Sequence, residues 1–264
     1  MKKLIALLLV LTMAVALVAC GEKEAEPTQK ATEAATEPAT EPSTEPATED
    51  ATQPAAEVMT YADFMAAETD ALVCVESYVQ AHQSWWFDDE AGHGKVTIYL
   101  QDAEGAYFAY EVNCTEEVAA QLVAGTKVRV SGEKAVWSGE VEIMNATLEV
   151  IEGADSYVAE AKDVTALLGT DELEAEMNKL VSFKGMTVSG ISFKDSQWDP
   201  DIYVALTKDG AEYSFCVENY LSGPDTELYE TVKGLTEGAV IDLEGFLYWY
   251  EGPNTHITAV TVAE

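Results

Sequence analysis

Glycines in the second half of the chain repeat the spacing of glycines in the first half. Three of them are each followed by another glycine at a constant offset of 113 residues, and Gly105 and Gly210 form a further pair at a shorter offset. Glycine inside a strand or turn marks a bend or a close approach of backbone, so a repeated spacing indicates a repeated backbone path. We therefore predict a tandem duplication, in which Gly125 matches Gly238, Gly132 matches Gly245, and Gly139 matches Gly252.

The first copy consists of short strands separated by turns. Apolar and polar residues alternate with the period of two that is typical of half-buried strands. A capping box of Thr60 with Asp63 predicts a short opening helix, a hairpin turns at Ala103–Gly105, and Thr115 caps a helix that is predicted to end at Gly125. The predicted strands are Ala71–Gln80, Val96–Asp102, Ala106–Cys114, Lys127–Gly132 and Glu140–Val150.

The same order of elements recurs in the second copy. Short helices around Asp163–Leu168 and near Asp171–Met177 precede it, a hairpin turns at Lys208–Gly210, and Pro224 opens the helix between the third and fourth strands. The predicted strands are Val181–Gly190, Ile202–Thr207, Glu212–Val217, Ala239–Tyr250 and His256–Val262.

An order of three strands, a helix and two strands resembles the OB fold, a five-stranded Greek-key barrel. Closing the strands on themselves removes sheet edges that would otherwise be open. The chain beyond Val58 is also long enough for two domains of about 100 residues each. We therefore predict a mostly β fold, with two tandem OB-fold-like barrels over residues 58–153 and 154–264.

The N-terminus has the parts of a secretory signal peptide over residues 1–19. Two lysines precede an apolar run, Leu4–Val18, that is shorter than the roughly 20 residues a transmembrane anchor needs. The small residues before Cys20 resemble the lipobox of bacterial lipoproteins, which implies cleavage at this point and acylation of the Cys20 thiol. Residues 20–57 are a predicted disordered tether, because the repeated Thr-Glu-Pro-Ala unit has almost nothing to bury.

Four segments of the chain resemble a known group of proteins. They are Tyr61–Phe64, Val79–Trp86, Trp137–Ile143 and Gly245–Asn254. In these segments the chain is similar to uncharacterised tandem OB-fold lipoproteins of anaerobic Gram-positive bacteria, and the similarity extends over essentially the whole mature chain. The resemblance implies the OB fold and lipid anchoring on the outer face of the cell membrane. It implies no ligand and no catalytic residue.

The chain is strongly acidic. It has 48 acidic and 14 basic residues, which give a net charge of −34 at pH 7. Proteins that bind nucleic acid normally present a basic patch to the phosphate backbone, and no cluster of Lys or Arg occurs in this sequence. We therefore expect nucleic acid to be disfavoured as a partner, and we expect membrane contact only through the N-terminal lipid.

The tryptophans fall between the first and second predicted strands of a barrel, or near the turn between its fourth and fifth strands. These loops flank the ligand-binding face of OB folds, and flat aromatic rings stack on sugars, bases and peptide side chains. We therefore predict one group of ligand-binding residues in each barrel. The first group is Trp85, Trp86, Phe87 and Trp137, and the second is Trp198, Trp249 and Tyr250 with His256 nearby.

Several alternatives stay open for these residues and their neighbours. The tryptophans could instead seal the open ends of the barrels by packing. The acidic residues Asp88–Glu90, and those around Trp198, could bind calcium, although neither cluster has the spacing of an EF-hand loop. Cys74 and Cys114 could pair, but buried free thiols are favoured, because an odd number of cysteines remains after Cys20.

Signals for catalysis are weak. The chain has three histidines and none of the HExxH, Gly-x-Ser-x-Gly or phosphate-binding glycine motifs. We predict no catalytic residue, no metal and no cofactor. The sequence gives no prediction of the oligomeric state. The sequence therefore favours a non-catalytic binding module whose ligand is an oligosaccharide, a peptide or a protein. An extracellular single-stranded nucleic-acid-binding protein and a scaffold for a cell-surface enzyme are the alternatives.

Overall fold

The structure is a computed structural model that describes residues 57–194 and 201–263. The described residues belong to one compact unit. The predicted signal peptide, the lipidation site Cys20, the tether up to residue 56 and Trp198 lie outside the described residues. Within the described ranges, every helix is too short or too polar to cross a membrane.

A closed sheet forms the first barrel. Its elements are α1 (Tyr61–Ala66), β1 (Leu72–His82), β2 (Trp86–Asp88), β3 (His93–Gln101), β4 (Ala106–Asn113), α2 (Glu116–Ala119), β5 (Lys127–Trp137) and β6 (Glu140–Val150). The strands are hydrogen-bonded in the order β1-β5-β6-β4-β3, and β3 returns to pair with β1. β4 and β6 run parallel to each other, and the other pairs are antiparallel.

The second barrel repeats this arrangement. Its elements are β7 (Lys162–Asp163), two 3-10 helices (Thr165–Leu167 and Asp171–Glu176), β8 (Leu180–Phe193), β9 (Ile202–Lys208), β10 (Ala211–Val217), α3 (Glu227–Lys233), β11 (Val240–Phe246) and β12 (His256–Val262). The strands are ordered β11-β12-β10-β9-β8, and β8 returns to pair with β11. β10 runs parallel to β12, and β7 runs parallel to β8.

The prediction of two tandem OB-fold-like barrels is confirmed, because both sheets close in the Greek-key order of that fold. Each sheet has six strands where five were predicted. β2 adds to β3 in the first barrel, and β7 adds to β8 in the second. Strands of two or three residues are too short to show the alternation from which a strand is predicted.

The repeated glycines occupy matching places in the two barrels. Gly125 precedes β5 and Gly238 precedes β11, with φ angles of +88° and +87°. The N–H of Gly125 donates to the carbonyl of Val79, and that of Gly238 donates to the carbonyl of Val188, both at 2.8 Å. Both valines lie where the first strand of their barrel shifts register. In both copies, therefore, the turn before β5 or β11 makes the same hydrogen bond to the first long strand of its barrel, β1 or β8.

Several predicted boundaries differ from the structure; among them, β8 continues past Gly190 to Phe193, and α3 begins at Glu227 after the N-cap Thr226 and not at Pro224. β5 continues past Gly132, because Gly132 sits at a bulge where a Cβ would lie 2.6 Å from the carbonyl oxygen of Met144. β11 ends before the predicted Tyr250, since the N–H of Tyr248 donates to the carbonyl of Phe246 and turns the chain. The helix α2 is also shorter than predicted.

Each barrel has its own apolar core, and the outward faces of the two barrels pack together. Tyr99 on β3 points away from its own core and stacks on Phe246 of the second barrel, with ring centroids 4.5 Å apart. Phe108 packs into the same buried cluster. The N–H of Leu180 donates to the side chain of Gln101 at 2.8 Å. This packing sets the position of the concave surface described next.

Candidate binding cleft

A cleft of about 1150 Å³ lies between the two barrels. Outward-facing residues of both sheets and the loop between β11 and β12 form its walls. Its volume lies slightly above the range of about 300–1000 Å³ that small-molecule sites have. Its aromatic lining includes Trp86, Phe108, Tyr110, Trp137, Tyr248 and Tyr250.

Equivalent rows of residues from the two barrels meet at this cleft. In the first row, Tyr99 on β3, Phe108 on β4 and Glu142 on β6 are neighbours in register. Side chains on a strand alternate between its two faces, so these three point away from the core of their own barrel. The second row occupies the corresponding strands β9, β10 and β12, and it consists of Tyr203, Cys216 and His256.

His256 links the two rows. Its Nδ1 lies 2.6 Å from the hydroxyl oxygen of Tyr99, and its ring stacks on Tyr248 with centroids 4.4 Å apart. Burial lowers the pKa of His256 to about 3, so its imidazole is neutral at physiological pH. The Tyr99 oxygen also accepts a hydrogen bond from Gln83 Nε2 at 3.3 Å, which leaves its O–H to donate to His256. The imidazole is therefore held in one orientation.

The structure brings some of the predicted ligand-binding residues together in this one cleft. Trp86, Trp137, Tyr250 and His256 all line it, although the sequence placed them in separate groups by barrel. The rings of Trp86, Trp137 and Tyr250 are open to solvent, with 43%, 59% and 50% of each residue exposed. Phe87 is 51% exposed but is not part of the lining.

Trp85 and Trp249 pack against the barrels and do not line the cleft. The indole ring of Trp85 covers Gly94 and the core of the first barrel, and its Nε1 donates to the carbonyl of Cys114 at 3.1 Å. Trp249 packs on the core of the second barrel, and its backbone N–H donates to a carboxyl oxygen of Glu140 at 2.7 Å. For these two residues the structure favours the packing role that the sequence left open.

Two buried carboxyl groups that the sequence analysis did not select lie on β6: Glu142 lines the cleft, and Glu140 is outside its lining. Glu140 and Glu142 alternate with apolar residues along β6, a pattern that ordinarily indicates a solvated face of a strand. Both are buried here because the second barrel covers this face. Burial raises the pKa of Glu140 to about 8 and that of Glu142 to about 7. No local signal in the sequence separates these residues from solvated acids.

Other acids of the cleft differ from Glu142 in having partners. Asp201 forms an ion pair with Lys194 at 3.3 Å. The carboxyl of Glu218 accepts a hydrogen bond from the N–H of Leu221 at 2.8 Å, and burial together with the charge of Asp201 raises its pKa to about 7. The cleft is therefore both aromatic and acidic, and Lys194 is a cation in its lining that already has a carboxylate partner.

The acidic loops and the cysteines show no metal centre in the described part of the chain. No group of three or more potential ligands is placed to hold a metal ion there. Asp88, one of the acids considered for calcium, instead pairs with Lys95 at 2.8 Å. Cys74, Cys114 and Cys216 are all free thiols, so the pairing of Cys74 with Cys114 that the sequence left open does not occur.

Comparisons with known proteins return similarities among solved structures. Neither a protein-family profile nor a curated protein sequence matches this chain. The chain is similar to the p204 HINb domain, with 12% identity and a TM-score of 0.36 over 75% of this chain and all of that one. It is similar to a murine DNA-binding protein bound to double-stranded DNA, with 11% identity and a TM-score of 0.36 over 72% and 97% of the two chains.

A third similar structure is a replication protein A heterotrimer bound to single-stranded DNA. The identity is 15% and the TM-score is 0.32, over 75% of this chain and 49% of that one. Chains bound to double-stranded or single-stranded DNA are among the similar structures, which stands against the expectation that nucleic acid is disfavoured as a partner, and we withdraw that expectation. That expectation rested on the net charge, and a charge summed over a chain does not describe one local surface.

Proposed function

We propose that this protein is a non-catalytic binding module that takes an oligosaccharide or a peptide in the cleft between its barrels. The supporting observation is the convergence of solvent-exposed rings from both barrels, Trp86, Trp137 and Tyr250, on one concave surface. Such rings stack on the faces of sugars and on peptide side chains. An extended ligand that contacts both barrels would use the full length of this surface.

The setting of the cleft imidazole supports binding rather than proton transfer at that residue. A general base or acid works best when its pKa lies near the operating pH. Burial lowers the pKa of His256 to about 3, and the ring is held between Tyr99 and Tyr248. We assign this side chain to the wall of the site.

We further propose that the barrels are displayed on the outer face of the cell membrane. The support is the sequence before Cys20, together with the proline-rich tether that follows it. An acylated Cys20 would hold the chain stably, because two acyl chains anchor a protein where one does so only marginally. Mass spectrometry of the membrane fraction should show a diacylglycerol on Cys20, and Cys20→Ala should leave the protein unlipidated.

The binding proposal is tested on the full-length chain, purified in detergent. A glycan array, a peptide library and a single-stranded DNA oligonucleotide at low salt are compared as ligands. The double variant Trp137→Ala/Tyr250→Ala should weaken the best ligand at least tenfold, because stacking on an aromatic ring is worth about 1–3 kcal/mol for a base and a similar amount for other flat groups.

The matched control is Phe87→Ala, which removes an exposed aromatic ring outside the cleft lining. It should leave both the affinity and the melting temperature unchanged. An affinity that survives the double variant would contradict the proposal. If DNA is the strongest ligand and its binding weakens with added salt, the proposed ligand changes from an oligosaccharide or peptide to nucleic acid.

A further inference from the structure

Glu142 is a buried carboxyl group that lines the cleft and has no partner. Only 5% of the residue is exposed, and it is part of the cleft lining. It makes no hydrogen bond or ion pair with any other residue in the described ranges. The carboxyl oxygens of Glu142 keep some contact with the open space of the cleft, so a ligand in the cleft can supply the partner that the protein does not.

Aromatic rings surround this carboxyl group. Phe108 is its register neighbour on the adjacent strand β4. The ring of Phe108 lies 5.2 Å from that of Tyr248 in an edge-to-face arrangement, and 6.3 Å from that of Tyr110. Burial, a hydrogen bond with Glu111 and a smaller contribution from Glu142 raise the pKa of Tyr110 to about 12, which places that phenol near the carboxyl. We name these four residues, Glu142, Phe108, Tyr110 and Tyr248, the Glu142 pocket.

One lysine in the cleft lining and one beside Trp86 already have carboxylate partners. Lys194 pairs with Asp201 at 3.3 Å. Lys95 pairs with Asp88 at 2.8 Å and with Glu111 at 3.0 Å, and it also lies 5.2 Å from the centroid of Trp86. The protein therefore does not neutralise Glu142 with one of these lysines, and the charge of the pocket is left for a ligand.

We propose that the Glu142 pocket binds an alkylammonium group of the ligand, with the carboxylate as its counter-ion and the aromatic rings as its walls. This inference rests on the proposed binding function and names the chemistry that the cleft recognises. Aromatic faces attract organic cations through the ring quadrupole, most strongly where water is excluded. A charge-assisted hydrogen bond to the carboxylate fixes the direction of the ammonium group. The group comes either from a lysine side chain of a peptide or from a free primary amine.

Isothermal titration of the full-length chain with matched probes tests the proposal. Capped lysine (N-acetyl-lysine methylamide) is compared with capped norleucine, which has a similar shape without the charge, and pentylamine is compared with pentanol. We expect each charged probe to bind at least tenfold more tightly than its uncharged counterpart. If capped lysine binds more tightly than pentylamine, the ammonium group of the ligand comes from a peptide. If the two affinities are equal, it comes from a free amine.

Glu142→Gln removes the charge and keeps the shape of the side chain. We expect it to reduce the preference for charged probes to within about twofold. The matched control is Glu149→Gln on the same strand, since Glu149 is exposed and lies outside the cleft lining. It should preserve the full preference. Tyr110→Leu provides a second variant at a partly exposed position and should weaken the charged probe more than the uncharged one.

Three outcomes would overturn the proposal. The first is that the wild type binds charged and uncharged probes equally tightly. The second is that neither charged probe binds at millimolar concentration. The third is that an oligonucleotide binds the Glu142→Gln variant more tightly than it binds the wild type. The proposed function fails separately, through a ligand whose affinity is unaffected by Trp137→Ala/Tyr250→Ala. The two ideas are thus distinguished by different variants.

Discussion

The two barrels place different chemistry on corresponding strands that face the cleft. In the first barrel the row Tyr99–Phe108–Glu142 ends in a carboxyl group, and in the second the row ends in the imidazole of His256. The imidazole is satisfied by Tyr99, whereas the carboxyl has no partner within the described residues. The duplicated sheet thus determines the direction in which these side chains point. The identity of the last residue in the row determines whether its side chain supports the structure or stays open to a ligand.

The largest expected effect comes from breaking the contact between the barrels. Phe246 is 3% exposed and stacks on Tyr99 across the interface. Phe246→Ala should reduce the free energy of unfolding by about 3–5 kcal/mol, because it removes a buried ring and leaves a cavity. Urea unfolding followed by tryptophan fluorescence measures this loss. A change below 1 kcal/mol would show that the barrels do not depend on this contact.

The duplication is tested by the equivalent glycines Gly132 and Gly245. At both, an added Cβ would collide with a carbonyl oxygen of the neighbouring strand, that of Met144 or that of His256. We expect Gly132→Ala and Gly245→Ala each to cost about 1–3 kcal/mol, the usual range for overpacking. Gly190→Ala is the control, since its methyl group would make only ordinary contact. Chemical denaturation compares the three, and a loss confined to one barrel would contradict their structural equivalence.

A smaller effect is expected from removing the hydroxyl group that orients His256. Tyr99→Phe keeps the stacked ring and deletes the hydrogen bond to Nδ1. The expected loss is about 1 kcal/mol, the typical net value of one hydrogen bond, and differential scanning calorimetry measures it. Tyr213→Phe serves as the control, because Tyr213 is a half-buried tyrosine that packs against the core of the second barrel and lies outside the cleft lining. An unchanged melting temperature for Tyr99→Phe would show that the imidazole is positioned by packing alone.

A further expected effect is a dependence of stability on pH. The carboxyls of Glu140 and Glu142 have folded-state pKa values of about 8 and about 7, raised by burial, so the folded protein binds more protons than the unfolded chain. Stability is then lost as the pH rises through these values. The lowered pKa of His256 acts in the opposite direction only below about pH 6.5, the ordinary value for histidine.

We therefore expect the free energy of unfolding to fall by about 2–3 kcal/mol between pH 6.5 and pH 8.5, because both carboxyls lose their protons over that range. The melting temperature should fall by about 5–10 °C. Glu140→Gln and Glu142→Gln should each reduce that fall, because an amide does not ionise. Circular dichroism at the two pH values provides the measurement. A steeper fall in either variant would contradict the assignment of these acids.

The strand order was predictable because it depends on local signals. Alternation, hairpin turns and the positive φ angles at Gly125 and Gly238 are properties of neighbouring residues, and they recur at one offset. The cleft depends on how one barrel covers the other. Glu142 and Tyr99 look like members of a solvated strand face until the second barrel is docked on them. For the same reason, Trp137 and Tyr250 were assigned to separate groups although they line one cleft.

Corresponding turns of the two barrels touch each other. Ser138 and Glu251 are separated by the glycine offset and both have positive φ angles, +49° and +55°. The N–H of Glu251 donates to the carbonyl of Ser138 at 2.7 Å, and Gly139 pairs with Tyr250. A homodimer with two-fold symmetry brings the same segment of both subunits together in this way. Fusing the two halves into one polypeptide frees each half to mutate independently, which symmetry denies to identical subunits.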